Sequence, residues 1–244
     1  MNNLTHNSAV RPQYKSHHDG KYVYSFALRT EKNHLFVDIQ GIDWLLDTGA
    51  PSSFGKKHIL IGERSFTVPS SNLGMTAEQL TDFVDHPTSG IIGTDVLNNF
   101  DILIDTRREK ISFSKSELLF EGEALEMTSI MGIPTIEANI SGSNRKMVFD
   151  TGAKISYFQD ESLSTFPVID TVSDFYPGIG QFQTETYRVN VALGAITLEL
   201  CCGSLPDLLG MTLTMTGAKG IIGNEILNDH VIGYFPRRQT LVIA

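Results

Sequence analysis

Residues 45–50 read LLDTGA and residues 148–153 read VFDTGA, so the same acid-bearing turn occurs twice in a chain of 244 residues. Each copy runs from two apolar residues through an aspartate, a threonine and a glycine to an alanine. The two aspartates, Asp47 and Asp150, are 103 residues apart. A motif that returns after nearly half the chain indicates an internal duplication.

The sequence around the two turns repeats in the same order. HLFVDIQGIDWL before the first turn matches TIEANISGSNRKMV before the second, and HILIGERSFTV matches NVALGAITLEL after them. LGMT then occurs at 73–76 and 209–212, and IIGTDVLNNF at 91–100 is answered by IIGNEILNDH at 221–230. These ordered matches predict two copies of one structural unit.

Both units have the composition of β-structure. Short runs rich in Val, Ile, Phe and Thr are broken by Gly, Asn and Pro, which predicts an all-β fold. Helical patterning is confined to 76–84 and to the residues after each IIG. We expect a flexible tail over 1–20, an N-terminal lobe over 21–118 and a C-terminal lobe over 119–244, with 115–127 connecting the lobes.

Bulk composition excludes several classes of function. The net charge of −9 and the pI of about 5.2 argue against a nucleic-acid partner, which would need a basic face. No apolar run approaches the roughly 18 residues of a membrane span, and the polar opening lacks a secretory stretch. We therefore expect no membrane association and a cytoplasmic location.

Two local clusters have simple interpretations. The adjacent Cys201 and Cys202 lie in a predicted strand and are expected to be free, buried thiols. His17, His18 and Asp19 lie in the polar tail, where a solvated cluster is favoured over a metal site. No metal and no cofactor is therefore expected.

The two repeated aspartates could act as one catalytic pair if a pseudo-twofold axis brings Asp47 and Asp150 together. Two carboxylates about 3 Å apart repel by roughly 5 kcal/mol at an effective dielectric constant near 20, so they share one proton. The ionised member then takes a proton from a bound water, and the protonated member donates a hydrogen bond to a carbonyl oxygen. The sequence thus predicts a general acid and a general base in one site.

The neighbours of the two acids suit this geometry. Gly49 and Gly152 allow a tight turn whose backbone N–H groups approach the carboxylates. Thr48 and Thr151 are placed to hydrogen-bond across the axis and hold the turns together. Each apolar IIG strand is expected to pass behind its turn and brace it.

LLDTGA with IIGTDVL, and VFDTGA with IIGNEIL, resemble the aspartic proteases, and the alanine after DTG resembles the retroviral-type proteases (retropepsins). The resemblance covers residues from about 30 to 244 and looks like two retropepsin units fused in one chain. It implies a bilobal aspartic-protease fold with pepsin-like overall organisation. It also implies a monomeric endopeptidase that acts on peptide or protein substrates, without metal or covalent intermediate, through Asp47 and Asp150.

The second unit carries an insertion. Asp150 and Gly194 are 44 residues apart, whereas the equivalent Asp47 and Gly62 are 15 apart. The extra stretch FYPGIGQF resembles the retropepsin flap, which implies a single flap in the C-terminal lobe. Its predicted tip consists of Gly178, Ile179 and Gly180, and Tyr176, Phe182 or Tyr187 is expected to pack on the substrate.

Residues beside the turns bear on the working pH. Ala50 and Ala153 replace a hydroxyl that would hydrogen-bond the charged carboxylate, which raises the pKa of the pair and predicts activity at mildly acidic to near-neutral pH. Lys154 follows the second turn where Pro51 follows the first. A lysine pointing into the cleft would favour ionised carboxylates, but a solvated surface lysine is the favoured interpretation.

Two functions remain open from the sequence. The first is an aspartic endopeptidase. The second is a catalytically silent relative that binds an extended peptide in the same cleft by strand pairing.

Overall fold

The structure, a computed structural model, describes residues 14–18, 21–56, 58–176, 179–215 and 217–244. Most of these residues lie in strands, and the predicted all-β class is confirmed. None of the helices in the described ranges has the length and apolar character needed to cross a membrane.

The first half consists of short strands and two helices. Its strands are β1 (Tyr14–His18), β2 (Lys21–Glu31), β3 (His34–Ile39), β4 (Ile42–Leu46), β5 (Phe54–Gly55), β6 (Ile59–Ile61), β7 (Arg64–Phe66), β8 (Ser71–Asn72), β9 (Met75–Thr76), β10 (Gly90–Ile92), β11 (Asp101–Asp105) and β12 (Lys110–Ser114). Its helices are α1 (Ala77–Val84) and α2 (Thr94–Leu97).

The second half has longer strands. They are β13 (Glu123–Ile130), β14 (Ile133–Ile140), β15 (Ser143–Phe149), β16 (Ser156–Phe158), β17 (Val168–Tyr176), β18 (Gly180–Leu193), β19 (Ile196–Gly203), β20 (Gly220–Ile222), β21 (Ile232–Phe235) and β22 (Thr240–Ile243). One α-helix, α3 (Asp207–Met215), and 3₁₀ turns at Glu161–Thr165, Asn224–Asn228 and Pro236–Arg238 complete it.

The duplication is visible in how each half approaches its acid. An antiparallel hairpin, β3–β4 in the first half and β14–β15 in the second, leads directly into the DTGA turn. The Ile-Ile-Gly strand then returns parallel to the last hairpin strand, as β10 beside β4 and β20 beside β15. Parallel pairing needs a long connection, and each half supplies it with the chain between its turn and its IIG.

A shared antiparallel sheet joins the halves behind the acids. Its order is β1–β2–β12–β11–β21–β22–β13, and the junction between the halves is the pairing of β11 with β21. Beside this junction, the buried carboxylate of Asp101 accepts hydrogen bonds from Arg237 at 2.7 Å and Arg238 at 2.8 Å. The two halves are therefore joined by backbone pairing and by ion pairs to the buried Asp101.

The core is continuous across the halves. In β2 the alternate residues Tyr24, Phe26 and Leu28 are buried, as expected of a strand with one face on the core. They belong to a single apolar cluster that also contains Trp44 of the first half and Phe149 of the second. Burying this cluster fixes the hairpins that lead into both acids.

Two local expectations differ from the structure, and a third feature agrees with it. Residues 14–18 of the predicted flexible tail form strand β1, which is hydrogen-bonded along the free edge of β2. The predicted connection 115–127 is shorter, because β13 begins at Glu123 and pairs with β22. Val168–Tyr176 and Gly180–Leu193 form a long hairpin that occupies most of the insertion found in the second half.

The helix prediction over 76–84 is confirmed by α1, whose N-cap Thr76 and residue Gln79 form a reciprocal capping box. The LGMT repeat, however, has no structural equivalence. Its first copy forms the β8–β9 turn and its second lies inside α3, so Met75 is buried whereas Met211 is 64% exposed. Four shared letters had suggested similar packing that the helix α3 does not provide.

Candidate active site

The two DTGA turns meet at the pseudo-twofold axis. Asp47 follows β4, and its backbone N–H donates to Ile92 O at 3.1 Å. Asp150 follows β15, and its N–H donates to Ile222 O at 2.9 Å. Each IIG strand thus binds the first residue of its own turn, and both aspartates are fixed relative to the sheet.

Thr48 and Thr151 bond the two turns to each other. The N–H of Thr48 donates to Thr151 Oγ1 at 3.1 Å, and the N–H of Thr151 donates to Thr48 Oγ1 at 2.9 Å. Each hydroxyl then donates across the axis, Thr48 to Phe149 O at 2.8 Å and Thr151 to Leu46 O at 2.9 Å. Because both threonines are buried, this closed set of bonds holds the turns rigidly together.

Glycine is required beside each acid by close approach. A Cβ atom on Gly49 would lie 2.2 Å from Asp150 Oδ2, and a Cβ on Gly152 would lie 2.6 Å from Asp47 Cγ. Each glycine therefore contacts the carboxyl of the opposite turn. This reciprocal contact places Asp47 and Asp150 within hydrogen-bond reach of each other.

The surroundings of the two carboxyl groups affect their pKa values differently. Burial and the neighbouring Asp150 raise the pKa of Asp47 well above its usual value. Burial also raises the pKa of Asp150, but its Oδ1 accepts backbone N–H bonds from Gly152 at 2.8 Å and Ala153 at 3.3 Å. Asp47 Oδ1 accepts one from Ala50 at 2.8 Å. The additional backbone donors favour the negative charge on Asp150, which leaves the shared proton with Asp47.

The acids form the floor of a largely apolar cleft between the halves, with a volume of about 880 Å³ including its open mouth. Its walls come from both halves and include Leu45, Pro51, Phe54, Leu73, Ile91, Tyr157, Phe182, Leu205 and Ile221. A cleft of this shape and polarity suits an extended chain with apolar side chains.

The β17–β18 hairpin covers this cleft. Tyr176 pairs with Gly180 at its end, and Ile179 N donates to Tyr176 O at 3.1 Å. Tyr176 and Phe182 line the cleft, and burial together with the nearby Asp150 and Asp47 raises the pKa of the Tyr176 phenol. Ile179 is 37% exposed, and Gly178 lies outside the described residues.

Tyr187, the third aromatic residue expected on the substrate, lies elsewhere. It is buried in the main core, and its hydroxyl donates to Glu185 at 3.0 Å. The strand alternation of β18 turns its side chain inward, which leaves Tyr176 and Phe182 of the three alternatives beside the cleft.

The hairpin also reaches the opposite half. Phe175 stacks on Phe83 of α1 with ring centroids 5.0 Å apart and planes 7° from parallel. Sequence reasoning missed this contact. The only signal was that Phe83 lies outside the buried face of α1, which comprises Ala77, Leu80 and Val84.

Lys154 is neither a surface lysine nor directed at the two acids. Its ammonium donates to the backbone oxygen of Ser173 and lies 3.7 Å from Asp174 Oδ1 in β17. Asp174 is itself buried and accepts a hydrogen bond from the Tyr157 hydroxyl. The favoured expectation of a solvated lysine was wrong because β17 supplies it with a buried counter-ion.

His34 is a second residue that sequence reasoning missed. Its Nδ1 lies 3.3 Å from the carbonyl oxygen of Gly152, and its side chain is buried. Burial lowers the pKa of the imidazole. Only a comparison of the halves offered a signal, since the alignment of the two repeats places His34 opposite Thr135.

Neither metal ions nor disulfides are suggested by the described residues. Within these ranges no three His, Cys, Asp or Glu side chains are grouped to hold a metal ion. Cys201 and Cys202 are free, the second buried and the first half-buried. The backbone of His17 and His18 lies in β1, and Asp19 falls outside the described residues.

No protein-family model matches the sequence, and no curated protein matches it. Among solved structures, the chain is similar to the crystal structure of aspartic proteinase from Irpex lacteus, with a TM-score of 0.50. The two are 12% identical, and the match covers 91% of this chain and 97% of that chain. The protein therefore has the bilobal, all-β fold of an aspartic proteinase.

Proposed function

We propose that this protein is an aspartic endopeptidase in which Asp47 and Asp150 activate a water molecule. The observation that carries the proposal is the meeting of two acids from separate halves, within hydrogen-bond reach, at the floor of the cleft. Their unequal tendencies to hold the shared proton provide the acid and the base that amide hydrolysis needs.

The reaction follows from the assigned protonation. Ionised Asp150 removes a proton from water as the water oxygen bonds to the substrate carbonyl carbon, while Asp47 donates its proton to the carbonyl oxygen. The tetrahedral intermediate then collapses as the C–N bond breaks, and the nitrogen takes a proton from Asp150. The oxygen's proton returns to Asp47, which restores the starting state of the pair.

We further propose that the β17–β18 hairpin is the flap, with Tyr176 and Phe182 in contact with the substrate. Tyr176 supports this because its phenol lies close enough to both acids for their charges to raise its pKa. The alanines at Ala50 and Ala153 support a retropepsin-like relationship, from which the single flap departs. Because one chain supplies both acids, a monomer suffices for activity.

Hydrolysis of a mixed peptide library tests the proposal. The wild type should cleave library peptides at internal bonds, detected by mass spectrometry, and the Asp47→Asn/Asp150→Asn double variant should cleave none. Library peptides that co-purify with the wild type without being cut would instead indicate the silent peptide-binding protein. Cleavage that survives in the folded double variant would remove the two acids from the mechanism.

Phe83→Ala should weaken substrate binding with little change in kcat. The lost stack is worth about 0.5–1.5 kcal/mol, so the closed hairpin is disfavoured and KM should rise roughly 2- to 10-fold. Steady-state kinetics on a peptide found in the library measures this. Phe83→Tyr keeps the aromatic ring and should retain the wild-type KM. An unchanged KM in Phe83→Ala would show that the stack with Phe175 does not contribute to substrate binding.

A further inference from the structure

The turn between β2 and β3 in the first half packs against the second acid turn. Asn224 Nδ2 donates to Asn33 O at 2.9 Å and to Thr151 O at 3.2 Å, which joins the two segments. The next residue, His34, is 2% exposed, and its Nδ1 lies 3.3 Å from Gly152 O. Since a carbonyl oxygen can only accept, the hydrogen of the neutral imidazole is placed on Nδ1.

This hydrogen bond ends one peptide unit away from Asp150. The Gly152 carbonyl and the Ala153 N–H belong to the same peptide group, and the Ala153 N–H donates to Asp150 Oδ1 at 3.3 Å. A donor on the oxygen of an amide polarises the group and strengthens its N–H as a donor, by about 10–30% per bond in a chain. His34, the 152–153 peptide and Asp150 thus form one continuous relay.

Neither equivalent of His34 in the second half is seen to donate to the first acid turn in the described ranges. The β3–β4 and β14–β15 hairpins match His34 with Thr135, whose hydroxyl bonds to Thr128 Oγ1 at 2.7 Å. The preceding two-residue turns match it with Ile133, whose side chain has no hydrogen to donate. The hydrogen bond from His34 therefore makes the duplicated site asymmetric, because it supports the turn that carries Asp150.

We propose that His34 is a positioning residue that directs the negative charge of the pair to Asp150, through its hydrogen bond to the Gly152 carbonyl. The inference rests on the proposed function and deepens it, because it states why one of two similar aspartates acts as the base. His34 does not touch the reacting atoms and acts only through the 152–153 peptide.

The charged groups that face His34 leave it neutral. Asp174 of β17 and Lys154, which is bound to that strand, lie within electrostatic range of the ring and have opposite effects on its pKa. Phe175 adds an apolar contact with ring centroids 6.0 Å apart. Burial is the largest influence and lowers the pKa of His34, so the ring is uncharged at neutral pH with Nδ1–H available.

A matched pair of variants tests the relay. His34→Asn places an amide N–H near the position of Nδ1, whereas His34→Leu removes the donor at similar size. The midpoint of the low-pH limb of kcat/KM, where Asp150 gains a proton, should rise by roughly half a unit to one unit in His34→Leu. It should remain at the wild-type value in His34→Asn. Equal shifts in both variants, or none in either, would overturn the proposal.

Two NMR measurements make the test independent of catalysis and of variant folding. The ¹³Cγ titration of Asp150 should show the same upward shift of its pKa in His34→Leu, whether or not the protein hydrolyses peptides. If this shift is seen while the wild type cleaves no peptide, the proposed function is rejected and the role of His34 stands. The ¹⁵N spectrum of the wild-type imidazole should show hydrogen on Nδ1. Hydrogen on Nε2 instead would reject the relay without any substitution.

Discussion

Asp47→Asn should reduce kcat/KM at least 10³-fold and raise the melting temperature at neutral pH. Asparagine can neither carry the shared proton nor return it, so the transition state loses its acid. The gain in stability arises because burial and Asp150 raise the pKa of Asp47 in the folded state. A group with a raised folded pKa stabilises the protein fully below its unfolded pKa, and this contribution is lost as pH rises through the folded value.

The two effects have separate measurements. Calorimetry at pH 4 and pH 7 should show a larger gain for Asp47→Asn at pH 7, at about 2–4 °C for each kcal/mol in a chain of this size. Asp229→Asn is the control, because it removes one charge from a side chain that is 87% exposed. A melting temperature that falls in Asp47→Asn at pH 7 would contradict the assignment of the proton to Asp47.

Gly49→Ala should also reduce activity, by about 10²-fold, but with a loss of stability. The new Cβ would lie 2.2 Å from Asp150 Oδ2 and 2.3 Å from Asp150 Cγ, so the carboxyl or the turn must move. Displacing a reacting group by about 1 Å costs on the order of 10²-fold in rate, and overpacking costs about 1–3 kcal/mol of stability. Kinetics and chemical denaturation of the same preparation measure both losses.

Gly142→Ala is the control for a glycine-to-alanine change that creates no clash. Gly142 has a φ of +79°, and a Cβ added there would have no neighbouring atom within 4 Å, so alanine meets strain but no clash. It should lose about 1–2 kcal/mol of stability and keep full activity. Wild-type turnover in Gly49→Ala would show that the two turns do not approach as closely as the reciprocal glycine contacts require.

Much of the fold could be predicted because the sequence repeats its main motifs in the same order. The duplicated DTGA and IIG stretches predicted two similar β-units, and the different spacing after Asp47 and Asp150 located the insertion that forms the β17–β18 hairpin. These predictions depended on local pattern and order alone. The LGMT repeat shows the limit of that reasoning, because Met211 lies on the exposed side of a helix.

The features that sequence reasoning missed depend on distant partners. Lys154 is held by Asp174, which becomes its neighbour only when β17 folds back over the second turn. His34 meets Gly152 across 118 positions of the chain, and Phe83 meets Phe175 across the cleft. Neither His34 nor Phe83 stands out in the sequence by residue type or spacing, so only the three-dimensional packing assigns them a role.

The sheet behind the acids has a consequence for biosynthesis. Asp47 and Asp150 have both left the ribosome before β21 and β22 are made, yet β11 of the first half needs β21 as its neighbour. The arginines that neutralise Asp101 also come late, at Arg237 and Arg238. A nascent chain therefore contains both aspartates before the sheet that aligns them can form. Assembly of the Asp47–Asp150 pair is delayed until β21 and β22 have been translated.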